Sequence, residues 1–535
     1  MAKGGIPERI DLSDPKKRRK ILKLLRAVRS MPNEGGDLMA VLRRYPSEDG
    51  TYAKSQLLGA YRELVEDGDI PRSSKIEREL QGRPVRTISG VAPVAVLTEP
   101  YSCPGTCIFC PDQDAAPKSY LDGEPGVLRA LQNEYDPYRQ TQVRIEALEA
   151  IGHETDKIEL LILGGTWSAY PEDYRVWFLR RCFDAMNEAS SETLREAFER
   201  NETAPHRNVG LVIETRPDCI TPESIVELRR HGVTKVQLGA QSFNDRILAL
   251  NQRGHTVNDT RRAVRLLRLG GFKIVLHWMP NLHGATLASD LEDFRKLWDD
   301  PALRPDELKI YPTALLEHTD LYDLWSEGEY TPYTEEDLTE LMISCKQLVP
   351  PYCRINRLMR DIPAPYIVAG TTKSNLRQIV QQRMQARGLQ CQCIRCREVR
   401  GREPASLGTA ELQPVVYETD ATIEHFLQYV TTENKLAGFL RLSLPKQPRK
   451  SLPIPDIENA AMIRELHVYG PAQALGERGQ GAQHRGLGTQ LLREAASLAR
   501  NHGYDRLAVI SAVGTRLYYK ERGFVEGTHY PIQML

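Results

Sequence analysis

The sequence predicts an α/β protein with a partial (βα)6 barrel, a basic, mostly helical region before it and a smaller α/β domain after it. Three observations carry this prediction: apolar runs alternate with amphipathic stretches over 89–385, basic residues concentrate near the N-terminus, and a second strand–glycine–helix–strand pattern follows residue 401. A length of 535 residues suits about three domains. We expect domains at 1–88, 89–385 and 401–535, with a cysteine-rich linker over 386–400.

Composition excludes several classes of protein. Hydrophobic residues make up 41% and charged residues 27% of the chain, as in ordinary globular proteins. No run of about 18 apolar residues predicts a membrane span. The N-terminus lacks the apolar core of a secretory signal, so we expect a cytoplasmic protein whose ten cysteines stay reduced and free to bind metal.

The first region is strongly basic although the whole chain has no net charge. Residues 16–29 carry eight lysines and arginines and no acid, and Leu22, Leu25 and Val28 would form an apolar helical stripe beneath them. Further basic groups are 72–86 and the set Arg354, Arg357, Arg360, Lys373 and Arg377. A phosphate backbone would suit these surfaces. Solvated helix faces, or a nuclear localisation signal within residues 16–20, are the alternatives.

Six apolar runs predict the buried parallel strands of the barrel: residues 92–98, 157–165, 208–218, 234–242, 272–280 and 307–312. Helical stretches such as 171–189 and 258–270 separate them. Active sites of such barrels lie at the carboxyl ends of the strands. There the sequence has polar residues or glycine: Gly164, Gly165, Thr166, Glu214, Arg216, Gln241 and His277.

Three cysteines follow the first predicted strand with the spacing Cys-x3-Cys-x2-Cys: Cys103, Cys107 and Cys110. Three thiolates can hold three irons of a four-iron cluster and leave the fourth iron open. An open iron can bind S-adenosylmethionine and cleave it reductively, so the pattern predicts a radical S-adenosylmethionine barrel with a 4Fe-4S cluster. A zinc site or a redox pair is the simpler alternative, but only one complete Cys-x2-Cys knuckle is present here.

The last region has a second cofactor pattern. Gln483 to Gly488 fit Gln-x-x-Gly-x-Gly at the start of an amphipathic helix, where glycines and backbone amides can bind a pyrophosphate. A strand precedes this turn, and a strand and an aromatic segment follow it, as in acetyl-coenzyme A-dependent acetyltransferases of the GNAT type. Tyr518 and Tyr519 lie where that family has a tyrosine general acid, and at least one of them is expected to be core packing. Residues 442–460 predict an exposed loop.

A second thiolate cluster lies in the linker. Cys391, Cys393 and Cys396 are spaced Cys-x-Cys-x2-Cys, which makes them a candidate zinc site. A tetrahedral site needs a fourth ligand, for which Cys345, Cys353 or a histidine are the candidates. A partly filled site or free thiols are the alternatives.

The chain closely resembles the catalytic subunit of Elongator, the family of tRNA wobble-uridine carboxymethyl transferases. The stretches 83–98, 124–138, 238–256 and 513–524 carry the resemblance, which runs from about residue 80 to the C-terminus and includes both domains. The resemblance implies three cofactors: a 4Fe-4S cluster on the three barrel cysteines, S-adenosylmethionine and acetyl-coenzyme A. Gly164, Gly165 and Thr166 match the motif that holds the methionyl end of S-adenosylmethionine.

The same resemblance implies where acetyl-coenzyme A binds. Its partners would be Glu465, Leu466, His467, Val468, Gln483, Gly486, Leu487, Gly488, Thr489 and Tyr519. Lys157 matches a family lysine that reaches this cofactor from the radical domain, although the sequence itself favours a surface lysine before a strand.

The implied reaction transfers a carboxymethyl group to carbon 5 of the wobble uridine in a tRNA anticodon stem-loop. The uracil must leave its stack to enter a barrel. Elongator-type subunits or a second copy of the chain are candidate partners. The alternatives are a lysine acetyltransferase acting on histones or other proteins, with a structural radical domain, and a non-catalytic tRNA-binding module. The intact cysteine triplet argues against a merely structural radical domain.

Overall fold

The computed structural model of the chain describes residues 9–32, 36–48, 50–82, 87, 90–399, 410–469 and 486–535. The α-helices in these ranges are α1 Pro15–Ser30, α2 Leu38–Arg44, α3 Lys54–Glu66, α4 Ser74–Leu80, α5 Pro125–Gln132, α6 Pro137–Ala150, α7 Glu172–Asn187, α8 Leu194–Asn201, α9 Pro222–Arg230, α10 Asp245–Leu250, α11 Val257–Leu269, α12 Leu287–Asp299, α13 Asp320–Ser326, α14 Glu335–Leu348, α15 Leu376–Ala386, α16 Ile394–Arg397, α17 Leu487–Asn501 and α18 Arg516–Lys520.

The strands are β1 Ala92–Leu97, β2 Lys157–Leu163, β3 Arg207–Thr215, β4 Lys235–Gln241, β5 Lys273–Trp278, β6 Glu307–Ile310, β7 Leu315–Leu316, β8 Arg354–Arg357, β9 Ile367–Ala369, β10 Glu411–Glu418, β11 Thr422–Val430, β12 Leu436–Pro445, β13 Ala461–Val468, β14 Arg506–Val509, β15 Val525–Glu526 and β16 Pro531–Met534.

The N-terminal helices α1 to α4 form a small core of their own. Asp14 caps α1 by accepting from the Lys16 amide, and Pro15 occupies its first turn. The buried stripe of α1 is Ile21, Leu24, Leu25 and Val28, the i, i+3, i+4, i+7 spacing of one helix face. Of the three residues expected in this stripe, Leu25 and Val28 are buried, and Leu22 is partly buried and packs against the same core.

The central domain is a seven-stranded parallel sheet in the order β1-β2-β3-β4-β5-β6-β8. The six predicted strands are confirmed, and they occupy the first six places in chain order. The seventh strand, β8, was missed because only Ile355 of its four residues is fully buried and arginines stand at both ends. Helices on the outer face complete the partial barrel, and the cysteine loop follows β1.

The C-terminal domain is a mixed sheet in the order β10-β11-β12-β13-β14-β16-β15. Strands β13 and β14 are parallel and pair only from Ala461 to Ile463 on the β13 side. Beyond Ile463, β13 continues to Val468 without β14 beside it. The two strands therefore separate and open a cleft in the sheet, next to the first turn of α17.

The two sheets share one hydrophobic core, which includes Phe272 and Leu308 of the barrel and Phe426 and Met462 of the C-terminal domain. Gly271 is required at this junction, because its φ is +79° and a Cβ there would lie 2.9 Å from the Met462 sulfur.

The segment 442–460 is not the exposed loop that its prolines predicted. Residues 442–445 belong to β12, and Leu452, Ile454 and Ile457 then pack into the core while the prolines between them face solvent. Within the described residues, no helix has the length and apolar character needed to cross a membrane.

Candidate functional site

The three cysteines of the β1 loop line one end of a cavity of about 1190 Å³ that runs through the barrel to the C-terminal domain. Cys103, Cys107 and Cys110 are all partly buried, and the Cys110 amide donates to the Cys107 carbonyl at 3.1 Å, which folds the loop into a turn. The far end of the same cavity is lined by Glu465, Leu466, His467 and Tyr519.

Hydrogen-bond donors lie beside two of these sulfurs, those of Cys103 and Cys107. The Gly105 amide lies 3.5 Å from Cys103 Sγ, and Thr166 Oγ1 lies 3.5 Å from the same sulfur. Arg253 Nη1 donates to Cys107 Sγ at 3.6 Å. Cluster thiolates accept hydrogen bonds of this kind. Three thiols that line one cavity, two of them beside hydrogen-bond donors, therefore fit a cubane cluster.

The glycine motif after β2 is confined by its neighbours. Gly164 has a φ of +126°, and a Cβ there would lie 2.0 Å from Thr98 Oγ1, so only glycine fits. Gly165, with a φ of +94°, and Thr166 line the cavity beside the cysteine loop. Gly164 itself packs against Thr98, whereas Gly165 and Thr166 face the space beside the three cysteines.

A polar layer crosses the barrel below the cysteine loop. Glu214 accepts from Lys309 Nζ at 3.0 Å and from Tyr120 Oη at 2.9 Å. Burial opposes its ionisation, but Lys309 and His277 outweigh burial and hold the pKa of Glu214 at about 2. Burial and Lys309 lower the pKa of His277 to about 3, so its imidazole is neutral at neutral pH, with Nε2 3.1 Å from Gln237 Oε1. This layer combines a carboxylate, an ammonium and a neutral imidazole.

A second charged layer lies where the amino ends of the barrel strands meet the C-terminal domain. Lys273 contacts Glu307 of β6 at 3.1 Å and also pairs with Glu465 of β13. Lys235 contacts Glu159 at 2.6 Å and Glu307 at 3.3 Å. These alternating charges connect the wall of the barrel directly to the far end of the cavity.

The far end of the cavity lies where β13 separates from β14. Burial opposes ionisation of Glu465, but Lys273 and Arg441 hold its pKa below the ordinary value. Burial lowers the pKa of His467 to about 4, so the ring is neutral. Burial raises the pKa of Tyr519, whose phenol therefore stays protonated at neutral pH. A protonated phenol facing a cavity can act as a general acid.

The glycine turn before α17 is partly described. Gly486 is the N-cap with a φ of +73°, and Leu487, Gly488 and Thr489 form the first turn. A Cβ on Gly488 would lie 2.8 Å from Tyr518 Oη and 3.9 Å from the nearest atom of Val468, so glycine is needed for this close packing. Gln483 lies outside the described residues.

The adjacent tyrosines have different surroundings. Tyr519 is 7% exposed and lines the cavity, whereas the Tyr518 ring is covered by the Arg522 guanidinium at 3.6 Å and does not line the cavity.

Lys157 begins β2, is paired in register with Arg207, and does not line the cavity either. Next to Arg207, the Asn208 backbone packs against Gly514, two residues before α18. Lys157 is thus one strand away from the contact between the domains.

The second cysteine group is compact. The Sγ atoms of Cys391, Cys393 and Cys396 all lie within 4.8 Å of one another. Hydrogen bonds from the two neighbouring thiols hold the pKa of Cys393 below its ordinary value. Lys346, which is 1% exposed, places Nζ 3.6 Å from Cys396 Sγ. In the described part of the chain, no fourth cysteine, histidine or carboxylate joins the group, and neither Cys345 nor Cys353 is close enough.

The third basic group forms the expected surface only in part, because Arg357 and Lys373 are exposed and the other three members are not. Arg354 pairs with Glu398 at 2.6 Å, Arg360 with Glu124 at 2.8 Å, and Arg377 donates to the Ile355 carbonyl. These three side chains are partly buried, so they stabilise the barrel edge instead of facing solvent. On α1, by contrast, Lys16, Arg19, Lys23, Arg26 and Arg29 are exposed.

Several residues of the site were not predicted from the sequence, chiefly Arg253, Lys309 and, apart from Glu465, the charged layer at the amino ends of the strands. One signal could have found that layer. Lys235, Lys273 and Glu307 are each the first residue of consecutive strands, and a charge repeated at that position indicates a polar opening of a barrel.

Comparisons with known families agree with this architecture. The Radical SAM superfamily matches residues 100–297, the Radical_SAM C-terminal domain matches 305–386, and the Acetyltransferase (GNAT) family matches 395–524.

Named relatives match over most of their length. A tRNA uridine(34) acetyltransferase of Dehalococcoides mccartyi (strain CBDB1) is 46% identical, over 82% of this chain and 96% of the relative. Elongator complex protein 3 of Homo sapiens is 37% identical, over 85% of this chain and 86% of the relative. The solved structure of archaeal Methanocaldococcus infernus Elp3 with an N-terminus deletion superposes with a TM-score of 0.73 at 39% identity, and it covers 84% of this chain and 100% of that one.

Proposed function

The chain belongs to the family of the tRNA uridine(34) acetyltransferases and Elongator complex protein 3, and we propose that it forms 5-carboxymethyluridine at the wobble position of tRNA. The enzyme combines a radical S-adenosylmethionine domain with a GNAT domain. Its substrates would be acetyl-coenzyme A, S-adenosylmethionine and the anticodon stem-loop.

One observation carries the proposal. A single cavity of about 1190 Å³ is lined by Cys103, Cys107 and Cys110 at one end and by His467 and Tyr519 at the other. Two enzymes with unrelated reactions would have no need of a common space. A reaction that joins an acetyl-derived carbon to a uracil needs both cofactors to reach the same atoms.

The cluster and S-adenosylmethionine would bind at the end of the cavity that the cysteine loop lines. The three cysteines would hold the 4Fe-4S cluster, with Gly165 and Thr166 beside the methionyl end of S-adenosylmethionine. When bound, these two groups supply a carbon radical that can remove hydrogen from the methyl group of acetyl-coenzyme A. Gly164 keeps the motif in place by packing against Thr98.

Acetyl-coenzyme A would bind where β13 separates from β14. The backbone from Glu465 to Val468 is free of β14 there, and the first turn of α17 offers amides for the pyrophosphate. Gln483, Gly486, Leu487, Gly488 and Thr489 are the proposed contacts at that turn. Lys157 would approach from the barrel side. Tyr519 would protonate the leaving thiolate, and Tyr518 would position the turn through Gly488.

The tRNA would bind on the exposed basic face of α1. Lys16, Arg19, Lys23, Arg26 and Arg29 are exposed there, which suits a phosphate backbone. A splayed uracil would enter the cavity from the rim that carries the cysteine loop. None of the ten cysteines is in a disulfide, which suits a reducing cytoplasm. Elongator-type subunits or a second copy remain candidate partners.

The compact group Cys391, Cys393 and Cys396 is proposed to bind zinc. Zinc favours thiolate ligands, and Lys346 would offset the negative charge of a site with three thiolates. The group lies between the barrel and the C-terminal sheet, so its role would be structural.

The test uses anaerobically reconstituted protein with tRNA, reductant, S-adenosylmethionine and acetyl-coenzyme A carrying a trideuterated methyl group. We expect 5-carboxymethyluridine in the digested tRNA and one deuterium in the released 5′-deoxyadenosine. The Cys103→Ser variant should lose both products. Carboxymethylation by Cys103→Ser, or 5′-deoxyadenosine without deuterium, would refute the scheme. Acetylated lysine on proteins with unmodified tRNA would favour the lysine acetyltransferase alternative.

A further inference from the structure

We propose that Arg253 sets the reduction potential of the cluster by hydrogen bonding to one of its ligands, Cys107. This inference rests on the proposed function, because it requires a cluster on the three cysteines. Arg253 does not touch the reacting atoms in this scheme. Its positive charge acts on the cluster through the hydrogen bond to Cys107. It lies in the segment between α10 and α11, far from the cysteine loop in sequence.

The geometry fixes the Arg253 guanidinium between the loop and the barrel wall. Nη1 donates to Cys107 Sγ at 3.6 Å, and Nη2 donates to the Gly239 carbonyl at 2.7 Å. A Cβ on Gly239 would lie 2.9 Å from Nη2, so glycine at that position of β4 leaves room for the arginine. The side chain is 6% exposed. It therefore has one orientation, which points at the sulfur.

The charge of Arg253 is not matched by a carboxylate. Among the residues that the structure describes, no aspartate or glutamate lies within salt-bridge distance of it, and its acceptors are a sulfur and a carbonyl. A buried guanidinium without an anion is costly. A thiolate-bound cluster supplies that anion. Reduction adds one negative charge to the cluster, so a neighbouring buried cation favours the reduced state.

Arg216 is the other buried arginine beside the loop, and it differs in charge balance. Its Nη2 contacts Asp218 at 2.9 Å, so the pair is close to neutral. Its remaining Nη2 contact is the Arg253 carbonyl at 3.0 Å. Arg216 thus supports the Arg253 segment, while Arg253 supplies the unbalanced positive charge.

The experiment uses the full chain, reconstituted anaerobically with iron and sulfide, as wild type and as Arg253→Lys, Arg253→Gln and Arg253→Met. Iron and labile sulfide are counted per chain, and the midpoint potential is measured by a redox titration followed by EPR. Arg246→Met is the matched control, because Arg246 belongs to the neighbouring helix α10 and its side chain is exposed.

We expect Arg253→Gln and Arg253→Met to shift the midpoint potential to more negative values, with Arg253→Lys closer to the wild type and Arg246→Met unchanged. Unshifted potentials in the Gln and Met variants would overturn the proposal, as would a Lys variant that matches Met. If Arg253→Gln and Arg253→Met cannot keep iron, retention of iron by Arg253→Lys would support the proposal. Equal loss of iron in all three variants would overturn it. A wild type without a four-iron signal would instead refute the proposed function.

Discussion

Arg464 and Asp306 form a fully buried ion pair that joins the C-terminal domain to the barrel. Arg464 Nη2 lies 2.6 Å from Asp306 Oδ1, Nη1 donates to Oδ2 at 2.7 Å, and both side chains are 0% exposed. Arg464 also contacts Glu424 at 2.8 Å, within its own domain. Burial opposes ionisation of Asp306, but Arg464 and Arg441 hold the pKa of that carboxyl well below its ordinary value. The contact between the domains therefore includes a buried ionic cluster in addition to the shared hydrophobic core.

Breaking this pair should destabilise the whole chain. We expect Asp306→Asn to lower the free energy of unfolding by about 3–5 kcal/mol, because it leaves a guanidinium buried with too little negative charge. Urea unfolding followed by circular dichroism measures the change. Glu199→Gln, in the exposed pair with Arg195, is the control and should leave the urea midpoint nearly unchanged. Equal midpoints for the two variants would contradict the prediction.

Tyr519 and Tyr518 should differ in their effect on acetyl-coenzyme A turnover. Tyr519→Phe removes the phenol that lines the cavity, so we expect turnover to fall by about a hundredfold or more. Tyr518→Phe should cost far less, since its ring is covered by Arg522. Thiol release from acetyl-coenzyme A in the presence of tRNA measures both variants. A larger loss for Tyr518→Phe would reverse the roles assigned to them.

Filling the cavity should uncouple the two halves of the reaction. Gly210 lines the cavity on β3, and a Cβ there would make an ordinary contact with Glu159 Cγ at 3.4 Å. We expect the series Gly210→Ala, Val and Leu to increase the amount of 5′-deoxyadenosine released per carboxymethyluridine formed, in the order of side-chain volume. Mass spectrometry of both products gives the ratio. A ratio that is constant across the series would show that the reacting groups do not meet through the part of the cavity beside Gly210.

The compact cysteine group should determine zinc content. We expect Cys393→Ser to lose the bound zinc, and Lys346→Met to release it faster to a chelator, because the thiolates then lose the ammonium that contacts Cys396. Zinc per chain is measured by elemental analysis before and after chelator treatment. Cys182→Ala, at a buried cysteine of α7 outside the group, is the control. Full zinc content in Cys393→Ser would show that this cysteine group does not bind the zinc.

His277 should make the protein sensitive to acid. Its pKa in the folded chain is lowered to about 3, against an ordinary value of 6.5. Below pH 6.5 the unfolded chain takes up a proton at this position that the folded chain does not, so stability falls as pH falls. The contribution is up to about 1.4 kcal/mol per pH unit. We expect His277→Gln to flatten the dependence of the urea midpoint on pH between 6.5 and 4, with His502→Gln for comparison. An unchanged slope would contradict this.

The fold was largely predictable because the barrel strands are apolar and regularly spaced. The six runs from residue 92 onward give one strand each, and the helices between them need no tertiary information. Strand β8 escaped because its pairing with β6 stabilises it, while its own residues are half charged. The burial of the segment after β12 was not predicted for the opposite reason, because its sequence indicates less structure than the segment has. Its prolines indicate a loop, yet they direct Ile454 and Ile457 into the core.

The candidate site was predictable where one short motif contains several of its residues. The three cysteines after β1, and the group around Cys393, are each close in sequence. Arg253 and Lys309 reach the cavity only because distant strands lie side by side in the barrel. A lone arginine carries no such signal in one sequence. The third basic group shows the converse, because Arg354 and Arg360 look exposed until their carboxylate partners are brought beside them by folding.

Because Lys273 contacts residues of both domains, we expect the two domains to have evolved together. One ammonium contacts Glu307 of the barrel and Glu465 of the C-terminal sheet. A gene split between these domains, or recombined with an unrelated partner, would lose the Lys273–Glu465 contact and leave Lys273 with Glu307 and Glu465 with Arg441. A change at one of the three positions would select for a compensating change at another, on either side of the boundary. The two halves of this gene should therefore trace the same genealogy.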